Sequence, residues 1–155
     1  MEKREFFPLF IRSSDYHAVV FGGGAIAARR IQTLLRFHFR ITIVAPRMQE
    51  DILALAGDVN LITDLYDPKY LDGAQLVLAC TDSREVNRRI QTDASQRHIW
   101  VNVCDRKEDC DFYFPGVVFG REATLGVVGS GEDHHGIKRV IDKIRKMFEG
   151  EENEN

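Results

Sequence analysis

The chain has 155 residues, 44% of them hydrophobic and 29% charged, with a formal charge of −3 at pH 7. That length suits one domain with a sizeable buried core, and the composition is that of an ordinary globular protein in water. No apolar run reaches the roughly eighteen residues a membrane span needs, and no overall basic character points to nucleic acid.

"HAVVFGGGAIAARRIQTLLRFHFRITIVAP" reads as strand, glycine turn, helix, strand. Ala18 to Phe21 is a short apolar run of the kind buried on both faces of a parallel sheet. Beyond it Ile26, Ile31, Leu34 and Leu35 follow helical spacing, with Arg29, Arg30 and Arg36 between them as a solvated face. "RITIVAP" is the next strand, closed by Pro46.

The alternation continues through a short helix "EDILALA", a strand "VNLIT", a strongly apolar strand "QLVLAC", a helix "SREVNRRIQTDASQRH" with Ser83 as its cap, and a strand "IWVNVC". Repeated strand and helix units predict a doubly wound, Rossmann-like parallel sheet with helices on both faces. After Cys104 the pattern changes: "FYFPGVVF" and "ATLGVVGS" read as two strands and "GIKRVIDKIRKMF" as a last amphipathic helix. The final seven residues, "EGEENEN", carry four glutamates, so the acidity belongs largely to a tail expected to be disordered.

Gly22, Gly24 and Ala27 satisfy GxGxx[GA] straight after a strand and at the start of a helix. The first glycine permits the turn, the second lets main chain approach a pyrophosphate, and the small third residue permits close packing of helix on sheet. The helix N-terminus then favours phosphate charge. The acid expected about twenty residues on, to hold a ribose hydroxyl, is absent. That place reads "IVAPRM", which offers main chain around Ala45 and Pro46 to the ribose and Arg47 to a 2′-phosphate, so NAD and NADP stay open.

"NVCDRKEDCDFYFPG", residues 102 to 116, concentrates acids, cysteines and aromatics. Asp105 follows a strand at the carboxyl edge of the sheet, where ligands bind in such folds, and Asp there also commonly starts a turn. Asp111 is expected to organise the turn before "FYFP" and Asp109 to be solvated. Cys80, Cys104 and Cys110 form no CxxC pair and are expected as reduced, packed thiols, with no metal site assigned. The start, "MEKREFFPLF", lacks the apolar core and cleavage site of a signal peptide, so a cytoplasmic location is expected.

In order along the chain, "FPLF", "VVFGGGAIAARR", "ITIVAP", "LVLACTDSREVN", "VNVCDRKEDCDFYFPGVV" and "GSGEDHHGIKRV" resemble the precorrin-2 dehydrogenase domain of siroheme synthases. The resemblance covers nearly the whole chain, and "CTDSREVN" and "NVCD....CDFYFP" are its most specific elements. It implies NAD-dependent oxidation of precorrin-2 to sirohydrochlorin, with ferrous iron insertion in some family members, and a homodimer. By the same resemblance Asp105 is the catalytic residue and Ala25, Ile26, Pro46 and Arg47 contact NAD; with Gly22, Gly23 and Gly24 of the glycine turn and Thr81 they are the expected cofactor residues. The expected organisation is an NAD-binding domain over residues 1–111, a strand and helix dimerisation extension over 112–148, and the tail over 149–155.

One departure stands against it. Where the family carries a glycine pair followed by serine and proline, this chain has "GEDHHG", which reads as Asp133 capping a helix with His134 and His135 on its first turn. The departure adjoins Ser130, at a serine some members phosphorylate. The alternative to an enzyme is a nucleotide- or tetrapyrrole-binding carrier that serves another enzyme of the pathway.

Overall fold

In the computed structural model the described residues are 7–129 and 134–151, the side chains at 134, 135 and 149–151 excepted. The chain has two compact units, Met1–Phe112 and Tyr113–Asn155.

In the first unit, strands β1 (His17–Phe21), β2 (Arg40–Val44), β3 (Asn60–Ile62), β4 (Leu76–Ala79) and β5 (Trp100–Val103) form a parallel sheet ordered β3-β2-β1-β4-β5. Helices α1 (Ala25–Leu35), α2 (Glu50–Leu53) and α3 (Arg84–Gln96) connect them, with single 3-10 turns at Pro68–Leu71 and Lys107–Asp109. This is the Rossmann-like class the alternation predicts. The order reverses between β1 and β4, and a crevice opens at such a switch point beyond the carboxyl ends of the strands.

Burial explains the two helix layers. Successive strand residues face opposite sides of the sheet: Val19, Phe21, Val77, Ala79, Val101 and Val103 join Ile90 and Ala94 of α3 in one core. Ala27, Ala28, Ile31 and Leu34 are the buried stripe of α1, which packs on β1 and β2. Tyr66 closes the α3 side by meeting Phe21 edge-on, with ring centroids 4.9 Å apart.

In the second unit β6 (Gly116–Phe119) and β7 (Thr124–Val127) form an antiparallel hairpin, and α4 (His134–Glu151) packs on β6. Ile141 and Phe148 of α4 occupy the space where Gly116 and Gly120 lack side chains. The strand expected from Phe112 begins only at Gly116, because Pro115 has no N–H to give a ladder. The last turn of α4 enters the acidic segment 149–155. Ser130 and Asp133 lie outside the described residues.

Two expectations from spacing are corrected. Arg30, read onto the solvated face of α1, is half-buried and donates to Oδ1 of Asn102 on β5. Cys80 and Cys104, expected as free thiols, are bonded to each other. Each follows directly on one of two strand residues in register, Ala79 and Val103, and their Cα atoms are 5.2 Å apart, a span a disulfide bridges. Spacing along the chain, 24 residues, carries no trace of that adjacency.

Candidate functional site

β1 stops at Phe21 and α1 starts at Ala25, so Gly22, Gly23 and Gly24 make the whole turn. Gly22 has φ of +118°, and the carbonyl of Cys80 fills the place of a Cβ. Any side chain there is both strained and blocked. At Gly23 the Arg47 carbonyl takes that place, and the Gln49 N–H donates to Gly23 O at 2.9 Å. Gly24 differs, since a Cβ there meets nothing within 4 Å. Two glycines therefore press the turn against neighbouring main chain while the third faces open space.

Gly24 is also the N-cap of α1 and supplies no side-chain cap. The first N–H groups of that helix, from Ala25 and Ile26 onward, are left for an external acceptor at the positive end of the helix dipole. An open cradle at bare main chain, closed below by two crowded glycines, fits a pyrophosphate. Pro46 and Arg47 follow β2 and are exposed beside this turn. Neither position carries an acid.

The far side of the crevice is a hydrogen-bonded clasp beyond β4 and β5. Ser83 accepts from Val86 N–H and caps α3 as expected. One turn on, the fully buried Asn87 accepts from the Thr81 N–H at 3.1 Å and hydroxyl at 2.7 Å, and its amide donates to Thr81 O at 3.0 Å and Asp105 Oδ1 at 3.1 Å. Arg84 meets the same Asp105 oxygen at 3.3 Å and Asp109 at 2.6 Å. Its hydrogen bond to Asp109, then the charges of Asp105 and Asp109, raise the Arg84 pKa above the usual arginine value, against partial desolvation.

Asp105 keeps 37% of its side chain exposed, so one carboxylate edge is tied to α3 while the group still reaches solvent. Asp109, expected to be solvated, is instead paired with Arg84 and Arg106. Asp111 organises the turn as expected. Its carboxylate accepts from Val101 N–H at 2.9 Å and its own N–H donates to Val101 O at 2.8 Å, which covers the outer edge of β5. The Cys110 thiol lies against the same edge, accepting from Val103 N–H at 3.1 Å, and burial pushes its pKa up.

The structure thus brings Gly22, Gly23, Gly24, Ala25, Ile26, Pro46, Arg47, Thr81 and Asp105 to one end of one sheet. Arg84 and Asp109 also line a groove of about 630 Å³, together with Glu85, Arg88, Gln91 and Arg106. The glycine turn is no part of its lining. Among the described residues no three metal-ligating side chains cluster. Asn87 and Arg84 escaped the sequence reading. The signal for Asn87 was present, since it falls three residues before Ile90 and seven before Ala94, a polar residue in the buried stripe of α3.

Residues 9–116 match a family described as putative NAD(P)-binding. The chain belongs to that family. The chain is 36% identical over 145 residues to a probable multifunctional siroheme biosynthesis protein HemA of Ruminiclostridium josui, covering 91% of this chain and 28% of that one. It is 37% identical over 128 residues to a siroheme synthase of Psychrobacter sp. (81% and 26% covered), and 38% over 129 residues to one of Methylobacillus flagellatus (82% and 27%). The chain therefore spans little more than a quarter of the length of these relatives. A solved structure described as SirC, precorrin-2 dehydrogenase, shares the fold with a TM-score of 0.79 at 20% identity, over 92% of this chain and 71% of that one. Among the described residues no helix of this NAD(P)-binding family member is long and apolar enough to cross a membrane.

Proposed function

We propose that the protein is an NAD-dependent precorrin-2 dehydrogenase, forming sirohydrochlorin in siroheme biosynthesis. One observation carries the reading: the open phosphate cradle at Gly24 and the half-exposed carboxylate of Asp105 stand at the same end of the same sheet, at the ends of β1 and β5. The siroheme biosynthesis relatives support precorrin-2 as the substrate.

NAD supplies a hydride acceptor. The N–H groups at the start of α1 bind its pyrophosphate, with Gly24 leaving room, and the loop of Pro46 and Arg47 meets the adenosine side. Thr81, after β4, borders the path from that cradle toward Asp105. Oxidation removes a hydride and a proton from the macrocycle, and Asp105 receives the proton. A carboxylate serves as such a base where it is held in place and still open to its substrate, and Asn87 and Arg84 hold it so.

On the same reading the protein is a cytoplasmic homodimer joined through its second unit. Exposed Val140 and Met147 on α4 support an apolar contact there. Ferrous iron, where inserted, is a second substrate rather than a resident group.

The test is anaerobic mixing of the purified chain with precorrin-2 and NAD, following NADH and sirohydrochlorin absorbance. Repeated turnover supports the dehydrogenase, and stoichiometric binding of precorrin-2 without NADH supports the carrier instead. A parallel sample with ferrous iron tests chelation.

A further inference from the structure

We infer that Asn87 is a positioning residue for the reaction, fixing the direction of the Asp105 carboxylate and coupling it to Thr81; this rests on the dehydrogenase reading above. Asn87 is wholly buried in the first turns of α3. Asparagine is a poor helix former, and its amide competes with the helix for main-chain bonds. A residue placed there at such cost is explained by its four bonds.

Those bonds use every hydrogen-bonding site the primary amide is usually given, two donors and a twice-used oxygen. Orientation is not arbitrary, because the Thr81 N–H has to meet the oxygen, which turns the –NH2 end toward Thr81 O and Asp105 Oδ1. Thr81 ends the β4 side of the crevice and Asp105 the β5 side, so one side chain from α3 spans both strand ends. Arg84, the other group on that carboxylate oxygen, has 40% of its side chain exposed and shares itself with Asp109. A flexible, shared cation attracts the carboxylate without setting its angle, whereas the buried amide does set it.

The charged groups around Asp105 are Arg84 of α3 and, in the turn that follows β5, Asp109, which pairs with Arg84, and Arg106, which pairs with Asp109. Against this background Asn87→Asp is informative. It keeps the shape and the acceptor toward Thr81, and sets a second carboxylate where the amide donated. Two carboxylates in contact retain a shared proton to higher pH.

The experiment measures NAD affinity and the pH profile of precorrin-2 oxidation for the full-length wild type, Asn87→Ala, Asn87→Asp and Asp105→Asn. The expected result is at least a tenfold lower kcat for Asn87→Ala with NAD affinity and precorrin-2 KM within threefold. For Asn87→Asp the acid limb of kcat is displaced to higher pH and activity returns as pH rises, a readout that loss of packing alone does not move. Where Asn87→Ala fails to fold, the isosteric Asn87→Asp decides the matter. An Asn87→Asp profile that overlies wild type, alongside an inactive Asp105→Asn, overturns this inference and leaves the dehydrogenase reading intact. A fully active Asp105→Asn overturns the role given to Asp105, and the role of Asn87 with it.

Discussion

Arg30 of α1 donates to the side-chain oxygen of Asn102, which lies on β5, two strands away from β1. The same Asn102 amide donates to Phe112 O at 2.7 Å, so one buried side chain joins α1 to the segment that follows Asp105. The amide of Asn102 also donates to Cys110 Sγ at 3.5 Å. Asn102→Ala removes all three bonds, and losing such buried bonds costs about 1–3 kcal/mol. Urea unfolding followed by circular dichroism checks this, with an unchanged m-value expected.

The glycine turn separates folding from binding. Gly22→Ala forces a side chain into positive φ and against the Cys80 carbonyl, a loss of at least about 2 kcal/mol in unfolding free energy. At Gly24 a Cβ meets nothing within 4 Å and the N-cap of a helix accepts aspartate, so Gly24→Asp leaves the melting temperature near wild type. Its carboxylate instead faces the phosphates, and NAD affinity falls by about 100-fold, close to 2.7 kcal/mol. Calorimetric titration beside thermal melting separates the two outcomes.

The sheet and its helices were legible because short apolar runs alternate with 3.6-residue periodicity, and the glycine turn because its spacing follows from how main chain meets phosphate. Ser83 announced its helix by local chemistry alone. What could not be read was contact between strand neighbours. The Cys80–Cys104 bond, the reach of Arg30 to Asn102 and the pairing of Asp109 with Arg84 all depend on elements far apart in sequence, among α1, α3, β4 and β5, meeting in space. Asn87 lies between these cases, since its place in a buried stripe was visible while its partners at Thr81 and Asp105 were not.

His17 gives stability a pH dependence. Burial first, then the charge of Arg40, hold its imidazole below the ordinary value against a hydrogen bond to Gly73. Folding favours the neutral ring, so this contribution is present above the unfolded value of about 6.5 and is lost as pH falls through the lower folded value. His17→Gln keeps a polar group near Thr42 and removes the titration. Melting temperatures measured on either side of about pH 6 should fall less steeply toward acid for the variant than for wild type.

Asp105→Asn tests the account most directly. It preserves shape and a bond to Arg84 or Asn87 but cannot accept a proton, and general-base loss of this kind costs about 100-fold or more in rate. With saturating NAD and precorrin-2, the account predicts that NADH formation falls by that factor while NAD affinity stays within twofold of wild type. Wild-type chain that binds NAD but forms no NADH from precorrin-2, or an Asp105→Asn chain that forms it at the wild-type rate, would contradict it.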